Sequence, residues 1–139
     1  PIQTAGAVFF PAPTDRPVAM VATQDIAAAA AELLRDRSWT GQAVRSLQGP
    51  RDLTYAEAAQ VLSDVLGTPV AAQQGPPQAV TQQLQDTGMH ENWARELTTL
   101  YTRIGAPDYA AEPRTPEATT PTTLRQYAEA HLRPALVAA

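Results

Sequence analysis

Val18-Ala19-Met20-Val21-Ala22-Thr23-Gln24-Asp25-Ile26-Ala27 is the stretch on which the fold turns. Its first five residues are apolar without interruption, which predicts a strand covered on both faces, as in a parallel sheet. Asp25 then stands where an N-cap belongs, since its carboxylate can accept the free amide hydrogens of a first helical turn. A helix over 26–36 follows, with Ile26, Ala30, Leu33 and Leu34 along one stripe. Residues 42–48 read as a third strand, carrying Val44 and Leu47. Strand, helix and strand at this spacing predict a βαβ unit with a right-handed crossover.

Working outward, Gly6-Ala7-Val8-Phe9-Phe10 reads as an earlier strand, followed by a loop punctuated by Pro11, Pro13 and Pro17. Downstream, Gly49-Pro50 ends the unit, and Thr54 with Glu57 forms a capping box. The helix that it opens runs to Leu66, with Tyr55, Ala58, Ala59, Leu62 and Leu66 on one face and Gly67 beyond its end. Residues 69–73 read as a short fourth strand. After Gly75 the pattern is helical: 77–86, then 91–104 with Trp93, Leu97, Leu100, Tyr101 and Ile104 at helical spacing. Residues 105–121 are rich in Pro, Ala and Thr and read as a long loop; a last helix starts near Thr122 or Thr123. The expected organisation is an α/β segment over 1–74 and a helical segment over 75–139.

Composition narrows the chemistry. The chain has 139 residues, of which 27 are alanine and only 26 are Leu, Ile, Val or Phe, so any core is thin and alanine-rich. All ten basic residues are arginine, which rules out within this chain a P-loop lysine, a Schiff base or a Tyr-x-x-x-Lys catalytic pair. There is no cysteine, hence no thiolate chemistry and no cysteine zinc site. A net charge of −4 with scattered arginines argues against nucleic acid. No apolar run is long enough for a membrane span, and no basic stretch precedes an apolar one at the start, so a cytoplasmic location is expected.

Five segments come in a fixed order: Gly6-x-Phe-Phe-Pro11 and Met20-Val-Ala-Thr-x-Asp-Ile-Ala27, then Leu47-x-Gly-Pro50, Leu53-Thr-Tyr-x-Glu-Ala-Ala59 and Leu66-Gly67-x-Pro-Val70. This series resembles the C-terminal half of the NmrA-like family, atypical members of the short-chain dehydrogenase/reductase superfamily. The resemblance is strongest over residues 18–70. It implies an α/β fold, the later parallel strands of a doubly wound Rossmann-type sheet followed by a small helical region that shapes the substrate pocket. It also implies NAD or NADP as the cofactor of an intact protein. Some relatives are reductases of quinones or related compounds; others sense the dinucleotide and regulate a partner protein. The seven glycines contain no Gly-x-x-Gly-x-x-Gly spacing, so none is expected to bind a cofactor here. The expectation is a substrate-side portion that is not catalytically competent alone. A redox-sensing regulator and a self-contained α/β interaction domain are the alternatives.

No catalytic residue and no metal ligand is expected. His90-Glu91 begins like His-Glu-x-x-His, but Ala94 stands where the second histidine belongs. Tyr127 and His131 lie one turn apart and invite comparison with a catalytic pair, yet an inward tyrosine and an exposed histidine account for the spacing. Tyr55 reads as core, Asp25 as a cap and Arg51 as a solvated loop residue. Candidates for the apolar wall of a substrate pocket are Phe9, Phe10, Met20, Trp93 and Tyr101. One of Phe9 and Phe10 must point away from the core, because strand neighbours alternate. The expected partners are a small-molecule substrate or a regulatory protein, with self-association possible through an uncovered sheet edge.

Overall fold

The computed structural model describes residues 6–106, 108–109 and 112–137, side chains excepted at Leu136 and Val137. Contacts divide the chain into two units. One comprises residues 1–18 and 53–111, the other 19–52 and 112–139, so the line expected near residue 74 falls inside the first.

In the first unit, β1 (Ala7–Phe10) pairs in parallel with β4 (Ala71–Gln74), Ala7 opposite Ala71 and Phe10 opposite Gln74. Parallel neighbours need a crossover, and here it includes α2 (Tyr55–Leu66), which packs on β4. The expected box is complete: the Glu57 amide donates to Thr54 Oγ1 at 3.0 Å and the Thr54 amide to Glu57 Oε2 at 2.8 Å. Gly67 closes the helix at φ 69°, a left-handed turn that glycine adopts without a Cβ penalty. Two-residue strands β2 (Pro17–Val18) and β3 (Leu53–Thr54) pair antiparallel beside it. Beyond β4, α3 (Pro77–Asp86) and α4 (Glu91–Ile104) have the bounds that the sequence predicts, and they pack on one another.

The buried line of α4 differs from the expected apolar stripe. It is Ala94 and Thr98 that are buried, while Trp93 and Leu100 are exposed. The reason is close approach: Thr81 Oγ1 donates to Thr98 Oγ1 at 3.0 Å across the α3–α4 contact, which leaves room only for small side chains. Gly105, just past the helix, is similarly closed in by Ala12, whose Cβ occupies the space a side chain would need.

The second unit holds α1 (Thr23–Arg35), the segment 36–52 and the C-terminal helical stretch. Two expectations fail here. Residues 19–22 make no strand, and 42–48 contribute only an isolated parallel bridge from Gln48 to Thr119. The βαβ unit of 18–48 is therefore not formed, and among the described residues the parallel strand pair is β1–β4. An apolar run is a strand only where a neighbour offers a ladder. Val44, one of the two apolar residues of that expected strand, is 92% exposed. The stripe of α1 is also bare: Ala29 is its buried residue, whereas Ile26, Leu33 and Leu34 are exposed.

The Pro- and Thr-rich loop is better held than its composition suggests. The Gln48 amide donates to the Ala118 carbonyl and the Thr120 amide to the Gln48 carbonyl, both at 2.7 Å. Gln48 Nε2 donates to the Glu112 carbonyl, and Arg114 binds the Gly49 carbonyl and Asp52. Beyond it α5 (Leu124–Tyr127) starts from a second capping box, Thr123 with Gln126, then widens into a π-turn over Ala128–Leu132 and resumes as α6 (Arg133–Val137). Of the thirteen buried apolar residues among those described, eight are alanine, as the composition requires.

Candidate functional site

Residues at the end of β1 build the aromatic part of the first unit. Phe10 stacks on Tyr55 with ring centroids 3.9 Å apart and planes 25° from parallel. Tyr55 is the first residue of α2, so the capping box that starts the helix also sets this ring against the strand. Its side chain is buried. Burial, and then the nearby Tyr101 hydroxyl, push its phenol above the ordinary value of 10.0, so it stays a neutral donor at physiological pH. Phe9 takes the other face: its ring edge and Val80 of α3 flank Gly75. The alternation of a strand thus places one phenylalanine toward α2 and the other toward α3.

Of the five pocket candidates, the fold brings Phe10 and Tyr101 to a common neighbour, Tyr55. Phe9 lies on the opposite face of β1. Trp93 is 73% exposed on α4, and Met20 belongs to the second unit. An open groove of about 410 Å³ between α3 and α4 is lined by polar residues such as Gln78, Thr81, Gln82 and Arg95, and not by these aromatics.

The second unit carries a polar chain that the sequence did not disclose. Asp25 is not the cap of α1; the helix begins two residues earlier and Asp25 sits in its first turn. Its carboxylate accepts the Thr122 hydroxyl at 2.7 Å on Oδ1 and the Thr122 amide at 3.0 Å on Oδ2. Gln24 Nε2 donates to Thr122 Oγ1 at 3.0 Å, so its amide oxygen faces His131 Nε2, 2.8 Å away. An amide oxygen only accepts, so His131 donates from Nε2. Tyr127 joins beside it, 3.3 Å from Thr23 Oγ1 and with its ring centroid 4.9 Å from that of His131. The spacing of Tyr127 and His131 therefore serves to dock the last helix on α1. No local sequence signal announces such a tie, since its partners are about a hundred positions apart.

Burial would raise the Asp25 carboxyl, but the Thr122 hydroxyl and amide and the Thr120 hydroxyl outweigh it, and its pKa lies below the ordinary 3.8. A depressed carboxyl adds stability above its unfolded value and loses it as pH falls through the folded one. Asp25→Ala is accordingly expected to cost about 1 kcal/mol at neutral pH, the scale of a part-exposed charged hydrogen bond. The gap to the wild type in urea unfolding should close below pH 3.8. A gap that persists unchanged in acid would contradict this account.

Among the described residues no group of three His, Asp or Glu side chains could hold a metal. Nor do the N-termini of α1, α2 and α3 fit a dinucleotide pyrophosphate. At the β4–α3 turn, Gly75-Pro76-Pro77 lacks two of the amide donors such a cradle needs. The N-terminus of α2 is occupied by Thr54 and the Glu57 carboxylate, and that of α1 carries Asp25. No helix among the described residues is long and apolar enough to cross a membrane.

Comparison with known proteins places the chain. The fold is similar to that of the triphenylmethane reductase of Citrobacter sp. complexed with NADP(H), at 23% identity and a TM-score of 0.69 over 92% of this chain and 45% of that one. A second structure of the Citrobacter reductase, described for bioremediation of triphenylmethane dyes, gives 22% identity and a TM-score of 0.69 over 94% and 46%. The chain thus spans under half the length of these reductases. A search of curated protein sequences found no match. The fold class is α/β of the Rossmann type. Residues 3–128, nearly the whole chain, match the profile of the NmrA-like family, and the chain belongs to that family.

Proposed function

We propose that the chain is the substrate-side, C-terminal portion of an NAD(P)-dependent oxidoreductase of the NmrA-like family, not competent for catalysis alone. The observation that carries this reading is the mismatch of lengths. The family profile covers nearly the whole chain, yet the chain covers under half of a reductase complexed with NADP(H). The bare stripe of α1, Ile26 with Leu33 and Leu34, suits a helix made to pack on more protein. In this reading the chain's own residues orient substrate: Phe10 and Tyr101 supply an apolar aromatic wall, backed by the buried Tyr55. The dinucleotide supplies hydride and is held by residues outside the chain.

The test has two parts. The coding sequence upstream of Pro1 should contain an in-frame glycine-rich strand–loop–helix. The whole gene product should then oxidise NADPH or NADH in the presence of quinones or triphenylmethane dyes. The isolated chain should do neither this nor bind the dinucleotide. A gene product that binds the dinucleotide tightly and turns over none of these acceptors would overturn the oxidoreductase assignment.

A further inference from the structure

One face of α4 is apolar and uncovered. Trp93, Leu97, Leu100 and Ile104 recur at helical spacing on a side of the helix distinct from the buried Ala94–Thr98 line. Trp93 is 73% and Leu100 52% exposed, while Leu97 and Ile104 are half-buried. The stripe is bordered on its outer side by two exposed charges of opposite sign, Glu96 near the start and Arg103 near the end.

We propose that this face pairs with the same face of a second copy of the chain, the two α4 helices running antiparallel about a two-fold axis. The charges select the direction. In a parallel pair the two-fold axis puts this border of the two copies on opposite edges of the seam, so Glu96 and Arg103 gain no charged partner across it. In the antiparallel pair each Glu96 lies near the partner copy's arginine at the same border, twice by symmetry. The apolar register agrees: Trp93 lies against Ile104 of the other copy and Leu97 against Leu100, large against medium along the seam. Arg103 already binds Asp108 at 2.6 Å. A guanidinium has five N–H donors, so it can keep that bond and donate to a second carboxylate. Fourteen residues of helix bury roughly 500 Å² per partner, below the ~800 Å² of a standard stable interface, so the pair is weak and depends on concentration. This proposal does not depend on the oxidoreductase reading.

Sedimentation equilibrium of the 139-residue chain tests it, from about 10 µM to about 500 µM, a range that brackets weak association. A monomer–dimer equilibrium that weakens in high salt is expected. Leu100→Glu should weaken the dimer at least tenfold with an unchanged circular dichroism spectrum, because the residue is half exposed. Glu96→Arg and Arg103→Glu should each weaken it, and the double swap should restore it. A chain monomeric throughout the range overturns the proposal. So does a dimer indifferent to Leu100→Glu, which would place the contact elsewhere, such as a strand edge. Single swaps without rescue by the double swap overturn the antiparallel register.

Discussion

Gly49→Ala is expected to destabilise the second unit by about 3 kcal/mol or more, the upper end for overpacking that the surroundings cannot relieve. A Cβ at this position would fall on the Met20 carbonyl, so two stretches of backbone, rather than a flexible side chain, would have to separate. Residues on both sides of Gly49 are committed. Gln48 bridges the Ala118 carbonyl and the Thr120 amide, and Arg114 holds the Gly49 carbonyl itself. Moving the segment away from Met20 therefore pulls on the only β-type bridge that ties 112–120 to it among the described residues. Hydrogen exchange reads the result locally: the Gln48 and Thr120 amides should lose protection, while those of α2 in the first unit keep theirs. Wild-type protection at both amides in the variant would show that the approach of the two backbones is looser than described.

Tyr55→Ala should cost the first unit about 3–5 kcal/mol, the range for removing a buried aromatic ring. That is a large share of the ~5–15 kcal/mol by which domains are stable. The magnitude follows from how little else is there. The buried apolar residues of this unit are otherwise alanines, valines and one leucine, and Tyr55 is the largest of them. Its loss leaves Phe10 without the ring on which it stacks and opens a void between β1 and α2. Tyr55→Phe keeps the ring and should cost under about 1 kcal/mol, as expected of a near-isosteric swap. Guanidinium unfolding of both variants separates the two roles. A phenylalanine variant as unstable as the alanine one would mean that the hydroxyl, and not the ring, holds the site.

Local signals in the chain were reliable where the physics is local. The Thr54–Glu57 box, the left-handed Gly67 and the bounds of α3 and α4 depend on residues within a few positions of one another, and they came out as read. Phe9 and Phe10 divide between two faces because strand alternation allows nothing else. The strands expected at 18–22 and 42–48 failed for the opposite reason. Apolar character shows that a segment tolerates burial, but a strand also requires a neighbour with free amides and carbonyls in register. The stripes of α1 and α4 failed in the same way: periodicity finds an apolar face, not what covers it.

What the sequence determined by itself was therefore the chemistry available and the family. Without lysine or cysteine the chain contains no tyrosine–lysine pair and no thiolate, its seven glycines hold no Gly-x-x-Gly-x-x-Gly spacing, and its ordered motifs pointed to the NmrA-like family. What only the tertiary structure decided was which segments meet. It put β1 beside β4 across more than sixty residues, set Phe10 on Tyr55, tied Asp25 to Thr122 and left the apolar faces of α1 and α4 bare. Each of the three contacts joins groups far apart in the chain, and closing such a loop costs entropy that only the sum of many packed contacts repays. No short window of residues contains that sum.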